Sequence, residues 1–405
     1  MKIAIIGAGA AGCFCAINLK RRLPEADVVV YESATKPLAK VAITGGGRCN
    51  LTNSFREVRS VQSVYPRGEK LMKRALKMFS HEDTMRWFEQ EGVRLVVQDD
   101  ECVFPMSQDA MEIVLTLTRL MKNLGVSLKL SSRVKEIRDE RETKGTYAVV
   151  ANDYSADYDC VVVTTGGSPR QSGMDFMKSL DLTIADPVPS LFTFNINDDG
   201  LHQLMGTVVN DVSCRLNGTK LQSEGALLIT HWGLSGPATL KLSSYGARIL
   251  AEKNYKADVS VNWFGQEKEP QVLAMLQDIQ RNNGGKQLSS AYPERLVCRH
   301  WTYLIQKADL LPTKRWQEVG TKQMNRLASL LTNDTYHIDG RGTYKDEFVT
   351  CGGIALSNVS MNTLECKQHP GLFLAGEVLD VDAITGGFNL QAAWSMGWMV
   401  SNAVG

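Results

Sequence analysis

Lys2-Ile-Ala-Ile-Ile-Gly7-Ala-Gly9-Ala-Ala-Gly12-Cys-Phe-Cys-Ala-Ile-Asn-Leu-Lys20 decides the fold. Lys2 to Ile6 is a short apolar run of strand type, and Ala10 to Arg22 has the composition of a helix. Gly7, Gly9 and Gly12 therefore fall on the strand-to-helix turn. The first glycine permits a tight turn, the second lets a pyrophosphate approach the backbone, and the third lets helix pack closely on strand. The helix start, with Ala10 and Ala11, then offers free N–H groups and a favourable dipole to phosphate. Asp27 to Glu32, with Val28-Val29-Val30 at its centre, is the second strand. Glu32 closes it at the distance from Gly12 where a carboxylate accepts from ribose hydroxyls. The context favours dinucleotide binding over a plain structural turn with a surface glutamate.

Three further glycine-rich blocks carry chemistry. Lys40 to Asn53 reads Lys-Val-Ala-Ile-Thr-Gly45-Gly46-Gly47-Arg48-Cys49-Asn50-Leu-Thr-Asn53. Three consecutive glycines cost backbone entropy and suit a place where backbone passes close to a ligand. Arg48 could neutralise a pyrophosphate or a substrate carboxylate, and Asn50, Thr52 and Asn53 offer neutral hydrogen bonds. The plainer alternative is a surface loop. Thr164-Thr165-Gly166-Gly167-Ser168 follows the Val161-Val162-Val163 strand, and small residues there fit the ligand crevice of an open α/β sheet. Pro370 to Gln391 carries a strand ending in Gly376-Glu377, then Asp380, then Gly386-Gly387-Phe388-Asn389-Leu390 opening a last helix. Glu377 could accept from ribityl hydroxyls, and that helix start could stabilise negative charge on a reduced flavin. Together these blocks call for non-covalent FAD, with no metal.

A chain of 405 residues, 43% apolar and 22% charged, has room for two or three packed domains. A formal charge of +1 gives no electrostatic case for nucleic acid or an anionic membrane surface. Nine scattered cysteines without a CxxC pair suggest reduced thiols and a cytoplasmic protein. Basic residues follow the apolar run to Leu19 instead of leading it, so a signal peptide is not expected. No apolar run is long enough for a transmembrane helix.

Helical periodicity is expected over Glu69 to Glu91 and Gln108 to Leu124, and strands over Ser127 to Ile137, Thr146 to Val150 and Tyr158 to Thr164. Near Pro187 and Pro189 the texture changes to short strand-like runs: Phe192 to Ile196, Val208 to Leu216, Ala226 to Thr230 and Val259 to Phe264. The expected architecture is α/β. A Rossmann-like FAD-binding domain (1–190 and 349–405) carries an insertion (191–348), with a β-barrel over about 191–265 and 334–348 and a small helical subdomain over about 266–333.

TGGGRCNLTN (Thr44 to Asn53), HWGLSGPATL (His231 to Leu240), VTCGGIAL (Val349 to Leu356) and AGEVLDVDAITGGFNLQAAWSMG (Ala375 to Gly397) resemble a bacterial and archaeal flavoprotein family. Its members are described as NAD(P)/FAD-dependent, aminoacetone oxidase-like oxidoreductases, within the two-dinucleotide-binding-domain flavoproteins. The resemblance covers nearly the whole chain. It implies FAD, the barrel insertion with its helical subdomain, and adenine bordered by backbone at Val134. Ala383 departs from a usual glycine and Cys351 from a usual alanine. The paired cysteines of disulfide reductases are absent, as is a second glycine fingerprint for NAD(P)H, which leaves NAD(P)H as a transient electron donor.

The implied activity is hydride transfer between flavin N5 and a small organic substrate. A flavin-binding redox sensor is the alternative, and a yellow protein would exclude a third, NAD-binding non-flavin class. The substrate is expected against the insertion, with the loop His231 to Pro237 as its wall. Several side chains keep two readings. His231 is a proton donor or a structural histidine, and Trp232 a stacking partner or a core residue. Cys49 is a flavin-tuning thiol or a packed small residue. Lys70, Lys73, Arg74 and Lys77 form an NADPH-phosphate site or a solvated face. Asp380 and Asp382 polarise waters or cap a turn.

Overall fold

The computed structural model describes residues 1–168, 170–342 and 349–405. They form two compact units: Met1–Val188 with Val349–Gly405, and Pro189–Phe348.

In the first unit, Lys2–Ile6 (β1) and Asp27–Tyr31 (β2) flank the helix Ala10–Arg22 (α1). Ile3 to Ile6 and Val28 to Tyr31 are buried, as expected of strands covered on both faces. They belong to a five-stranded parallel sheet ordered Leu372–Leu374, Cys160–Val163, β1, β2, Ser127–Lys129. The C-terminal segment thus completes a sheet begun at residue 2. The last helix, Phe388–Ala403, packs on α1, and Gly397 makes this possible: a Cβ there would lie 2.8 Å from the Ala11 carbonyl.

Three expected elements are split. The helical stretch from Glu69 to Glu91 is two helices, Glu69–Met78 and His81–Gln90. Ser80 ends the first by capping the second: its Oγ accepts from Asp83 N–H, and Asp83 accepts from Ser80 N–H at 2.9 Å. The strand from Ser127 to Ile137 becomes Ser127–Lys129 in the parallel sheet and Val134–Glu140 in a separate antiparallel one. Between them, Ser131 and Ser132 donate to the carbonyls of Ala34 and Glu32. Tyr158 ends the antiparallel strand Tyr154–Tyr158, and the core strand starts only at Cys160.

The second unit contains a closed antiparallel barrel ordered Phe194–Ile196, Gly233–Ser235, Gln222–Thr230, Val208–Leu216, Lys256–Asn262, Asp334–Arg341. Buried residues alternate along its strands, as in Val212, Cys214, Leu216 and in Tyr336, Ile338. The expected barrel end at 343–348 lies outside the described residues. Helices Glu269–Asn283, Cys298–Lys307 and Thr321–Thr332 follow the barrel and share one core with it. Trp263, Trp301 and Trp316 are fully buried there, with each indole N–H satisfied, by Asp334, the Leu288 carbonyl and the Ala291 carbonyl. Among the described residues no helix is long and apolar enough to cross a membrane.

Candidate functional site

The carboxyl ends of three neighbouring sheet strands, β2, β1 and Cys160–Val163, present Glu32, Gly7–Gly12 and Thr164–Gly167 on one edge, and Leu372–Leu374 adds Gly376 and Glu377 beside them. Gly7 has φ 107 and backs onto Thr164, whose carbonyl would lie 2.6 Å from any Cβ there. Thr164 Oγ1 donates to the carbonyl oxygens of Ile6 or Gly7, at 3.1 and 2.9 Å, which pins the turn. At Gly12 a Cβ would sit 2.0 Å from the Gly7 carbonyl, so only glycine lets α1 start this close to β1. Gly9 differs: nothing lies within 4 Å of its Cβ position. The N-terminus of α1, through Ala10 and Ala11, has no side-chain cap and no acidic residue in its first turn.

Glu32 is held in place by backbone. Its Oε2 accepts from Ala8 N–H at 2.9 Å and its Oε1 from Ala34 N–H at 2.8 Å. Each oxygen keeps acceptor capacity for a hydroxyl. Ser132 donates to the Glu32 carbonyl, so the segment leading to Val134 runs beside this carboxylate.

A second cluster surrounds Glu377. Its Oε1 accepts from Thr350 N–H at 2.8 Å, and Lys40 Nζ is 3.5 Å from its Oε2. Gly166 and Gly167 lie against the same carboxylate, and Gly376 lies against Ala11. Thr165 links this cluster to Thr164 in sequence.

The glycine-rich stretch and the C-terminal block pack together. Helix Ala39–Gly47 breaks at Thr44, Gly45 and Gly46, where Gly46 has φ 70. Asn53 donates to the Gly386 carbonyl at 3.1 Å, Thr52 to Gln391 at 2.6 Å, and Trp394 to the Leu51 carbonyl at 3.0 Å. A Cβ on Gly387 would meet the Thr52 carbonyl at 2.3 Å and also Asn50. Gly46 and Gly47 have nothing within 4 Å of their Cβ positions. The last helix, like α1, has no side-chain cap at its N-terminus.

These residues fit FAD. Open space beside Gly9, Gly46 and Gly47, two uncapped helix starts and two backbone-oriented carboxylates supply room, N–H donors and hydroxyl acceptors. A family profile described as the HI0933-like protein Rossmann domain matches residues 1–403. The chain belongs to this family. With it, the chain is an FAD-dependent oxidoreductase of Rossmann-like α/β fold.

This HI0933-like protein is 29% identical over 408 residues to a ribosomal RNA dihydrouridine synthase of Escherichia coli (strain K12), covering 97% of this chain and 95% of that protein. It is 25% identical over 414 residues to a 3-dehydro-bile acid delta(4,6)-reductase of Clostridium scindens, covering 99% and 98%. Among solved structures it is similar to 3-ketosteroid delta1-dehydrogenase from Sterolibacterium denitrificans, at TM-score 0.51 and 11% identity over 99% of this chain and 98% of that one. That last likeness is one of fold.

Several polar side chains singled out in the HI0933-like sequence are used within the protein. Arg48 donates to the Gly45 carbonyl at 3.0 Å and lies 4.4 Å over the Phe104 ring. Cys49 is fully buried, and burial pushes its thiol up to about 12, so it stays protonated. Asp382 is buried in a bidentate ion pair with Arg67, with Nε–Oδ1 at 2.5 Å, a partner that neither of its two sequence readings included. Asn389 bonds Ala383 at both N–H and carbonyl, folding the 381–387 turn onto the helix start. Phe388 is packed edge-on to Phe55 and Tyr65, Leu390 is half-buried, and Asp380 N–H donates to the Ile354 carbonyl. Lys73 pairs with Glu69 and Arg74 bonds Asn362, on an exposed face.

His231 lies in the other unit, exposed on the turn between two barrel strands, edge-on to Trp232 at 4.2 Å. Neither Thr350, whose N–H orients Glu377, nor Arg67, which pairs with Asp382, is singled out by the sequence reading. Thr350 had a signal in the Gly352-Gly353 pair that follows it, where a Cβ would strike the Asp186 and Val378 carbonyls at 2.4 and 2.5 Å.

Proposed function

We propose that this protein is a reductase that uses FAD to saturate a carbon–carbon double bond conjugated to a carbonyl, and that its substrate is a uracil base in ribosomal RNA. The observation that carries this is the similarity along nearly the full length to ribosomal RNA dihydrouridine synthases from two organisms. The bile-acid relative's name also describes reduction of carbon–carbon double bonds, so the chemical class does not depend on the choice between them. An RNA-borne base departs from the small organic substrate without nucleic acid that charge and composition suggest.

The FAD-binding domain comprises residues 1–190 and 349–405, and the insertion 191–348 serves the substrate. Bound FAD supplies two-electron hydride chemistry at flavin N5. Gly7, Gly9, Ala10, Ala11 and Gly12 would hold the pyrophosphate, Glu32 a ribose, and the backbone at Val134 the adenine. Lys40, Gly45 to Asn50, Thr165, Gly166, Gly376, Glu377 and Asp380 would line the remainder of the cofactor. The uncapped start of the last helix, Gly386 to Leu390, would stabilise negative charge on it. Saturating the double bond also consumes a proton, at the carbon next to the carbonyl. His231, solvent-facing on its turn, is the candidate donor.

NAD(P)H of either kind is the proposed transient reductant. The cytoplasm is the proposed compartment, which nine free cysteines support. The test is anaerobic mixing of dithionite-reduced protein, freed of excess reductant, with deproteinised ribosomal RNA, with flavin absorbance and nucleoside composition both followed. Flavin re-oxidation with matching dihydrouridine is expected. Re-oxidation by a conjugated steroid ketone but not by RNA would overturn the RNA assignment and keep the reaction class.

A further inference from the structure

The helical part of the inserted unit carries a charge imbalance that the whole chain conceals. From Arg281 to Arg326 there are nine Lys or Arg residues and three acidic ones, Glu294, Asp309 and Glu318, against +1 for the whole chain. Three of the nine are neutralised: Arg281 by Asp278, Arg326 by Asp309 at 2.5 Å, and Lys307 by buried Asp334 at 2.6 Å. Lys286, Arg295, Arg299, Lys314, Arg315 and Lys322 have no carboxylate ion pair among the described residues.

Backbone hydrogen bonds place most of these on one surface. The segments 284–288 and 314–317 run side by side: Gln317 N–H donates to the Gly284 carbonyl at 2.9 Å, Trp316 N–H to Lys286 at 3.0 Å, and Leu288 N–H to Lys314 at 2.8 Å. Gln287 bridges Arg315. Cys298 Sγ is 3.8 Å from the Ser289 carbonyl, so helix Cys298–Lys307 starts at the same edge, with no side-chain cap. From its first turn Arg299 donates to the Met205 carbonyl at 3.2 Å, and Arg295, just before it, to Asn210 at 3.0 Å. Leu311, Met205 and Val297, 71%, 55% and 48% exposed, stand among these cations. Glu294, Asp309 and Glu318 are the acidic side chains nearby in sequence; Asp309 pairs with Arg326, Glu318 accepts from the Arg315 backbone N–H, and Arg295 also reaches the Asp211 carbonyl.

Unpaired guanidinium and ammonium groups interleaved with exposed apolar side chains suit a folded RNA. Phosphates neutralise the cations, and sugar and base faces cover the apolar groups. We propose that this face of the inserted unit binds the phosphate backbone of the RNA substrate, a task separate from the flavin cradle. The proposal rests on RNA being the substrate, and it assigns the contact to Lys286, Arg299 and Arg315 above all.

The experiment uses full-length, FAD-loaded protein and a fluorescein-labelled ribosomal RNA fragment, read by anisotropy across a salt series. Duplex DNA and polyglutamate serve as competitors. The variant is Lys286→Gln/Arg299→Gln/Arg315→Gln, and Lys70→Gln/Lys77→Gln in the other unit is the control. Each lost phosphate contact removes roughly 0.7–0.9 from the slope of log affinity against log salt. The triple variant should therefore lose about 2–3 units of slope and bind about 10–100-fold more weakly at physiological salt, with flavin content unchanged. The control should bind as wild type. Should the triple variant not fold, each single variant should lose about one unit of slope.

Unchanged slope and affinity, or equal weakening in the control, overturns the assigned surface. Competition by duplex DNA or polyglutamate as strong as by unlabelled RNA overturns folded RNA as the occupant. Dihydrouridine formation measured on the same samples separates the two readings. Product formed by wild type with binding untouched in the triple variant leaves the substrate standing and removes the surface. Binding lost in the triple variant with no product from wild type supports the surface and removes the substrate.

Discussion

Replacing Gly9 by Ala separates space reserved for a ligand from space needed by the fold. Nothing lies within 4 Å of a Cβ at Gly9, and its φ of −84° suits any residue. The apo protein should lose only the small N-cap preference of Gly over Ala, under ~1 kcal/mol. FAD binding should suffer, because the methyl group enters the space where the pyrophosphate approaches α1. At free FAD one hundred times Kd, wild type gains about 2.7 kcal/mol from linkage. A hundredfold weaker variant at the same concentration gains only ~0.4 kcal/mol, so the FAD-dependent stabilisation should fall by about 2.3 kcal/mol. Gly12→Ala should behave in the opposite way. Its Cβ would stand 2.0 Å from the Gly7 carbonyl and 2.5 Å from Thr164 Oγ1, so the apo protein itself should be destabilised. The assay is chemical denaturation of both variants and wild type, with and without FAD. A Gly9→Ala protein that keeps the full FAD-dependent shift, or one whose apo form collapses, refutes the reasoning.

His300 is fully buried with both ring nitrogens unpartnered, and burial pushes its pKa down to about 3. The unfolded chain therefore takes up the proton first, near pH 6.5, and stability is lost as pH falls from there towards 3. The loss should reach about 2 kcal/mol at pH 5, and His300→Phe should remove that part of the acid slope in denaturation curves taken from pH 7 to pH 4. Arg67→Met leaves Asp382 buried without its bidentate partner and should cost about 3–5 kcal/mol, most of it recovered in Arg67→Met/Asp382→Leu; a double variant as unstable as the single would contradict this. Arg48→Ala removes the bond to the Gly45 carbonyl and the contact with Phe104, so about 1–2 kcal/mol of apo stability should go before any effect on FAD. A change in flavin affinity alone, with unaltered apo denaturation, would contradict this and leave Arg48 serving the cofactor only.

The nucleotide fold was legible because its signals are local. β1 and α1 have the bounds their apolar run and glycines suggest, and the return of strand and helix texture after residue 348 correctly joins the C-terminus to the first sheet. The break at Ser80 was equally local: Ser80-His-Glu-Asp83 is a capping box, hidden by apolar periodicity on both sides. The break after Lys129 was not, since it depends on Ser131 and Ser132 reaching the carbonyls of Ala34 and Glu32 far earlier in the chain. Polar residues inside the recognised blocks were the hardest to assign. Nothing in the sequence distinguishes a carboxylate or amide aimed at a ligand from one aimed at Arg67 or Ala383, as Asp382 and Asn389 are. Net charge is an average over the whole chain. A total of +1 is compatible with a helical segment holding six cations without a carboxylate ion pair among the described residues, and only contacts reveal which charges are already neutralised.

The most direct measurement is the dihydrouridine content of ribosomal RNA from a strain lacking this gene, from its parent, and from the deletion strain complemented with wild type or with Gly9→Ala. The account predicts that dihydrouridine at one or more positions disappears on deletion, returns with wild type and fails to return with Gly9→Ala produced at the same level. Identical dihydrouridine in deletion strain and parent, or full restoration by a variant that no longer retains FAD, would contradict it.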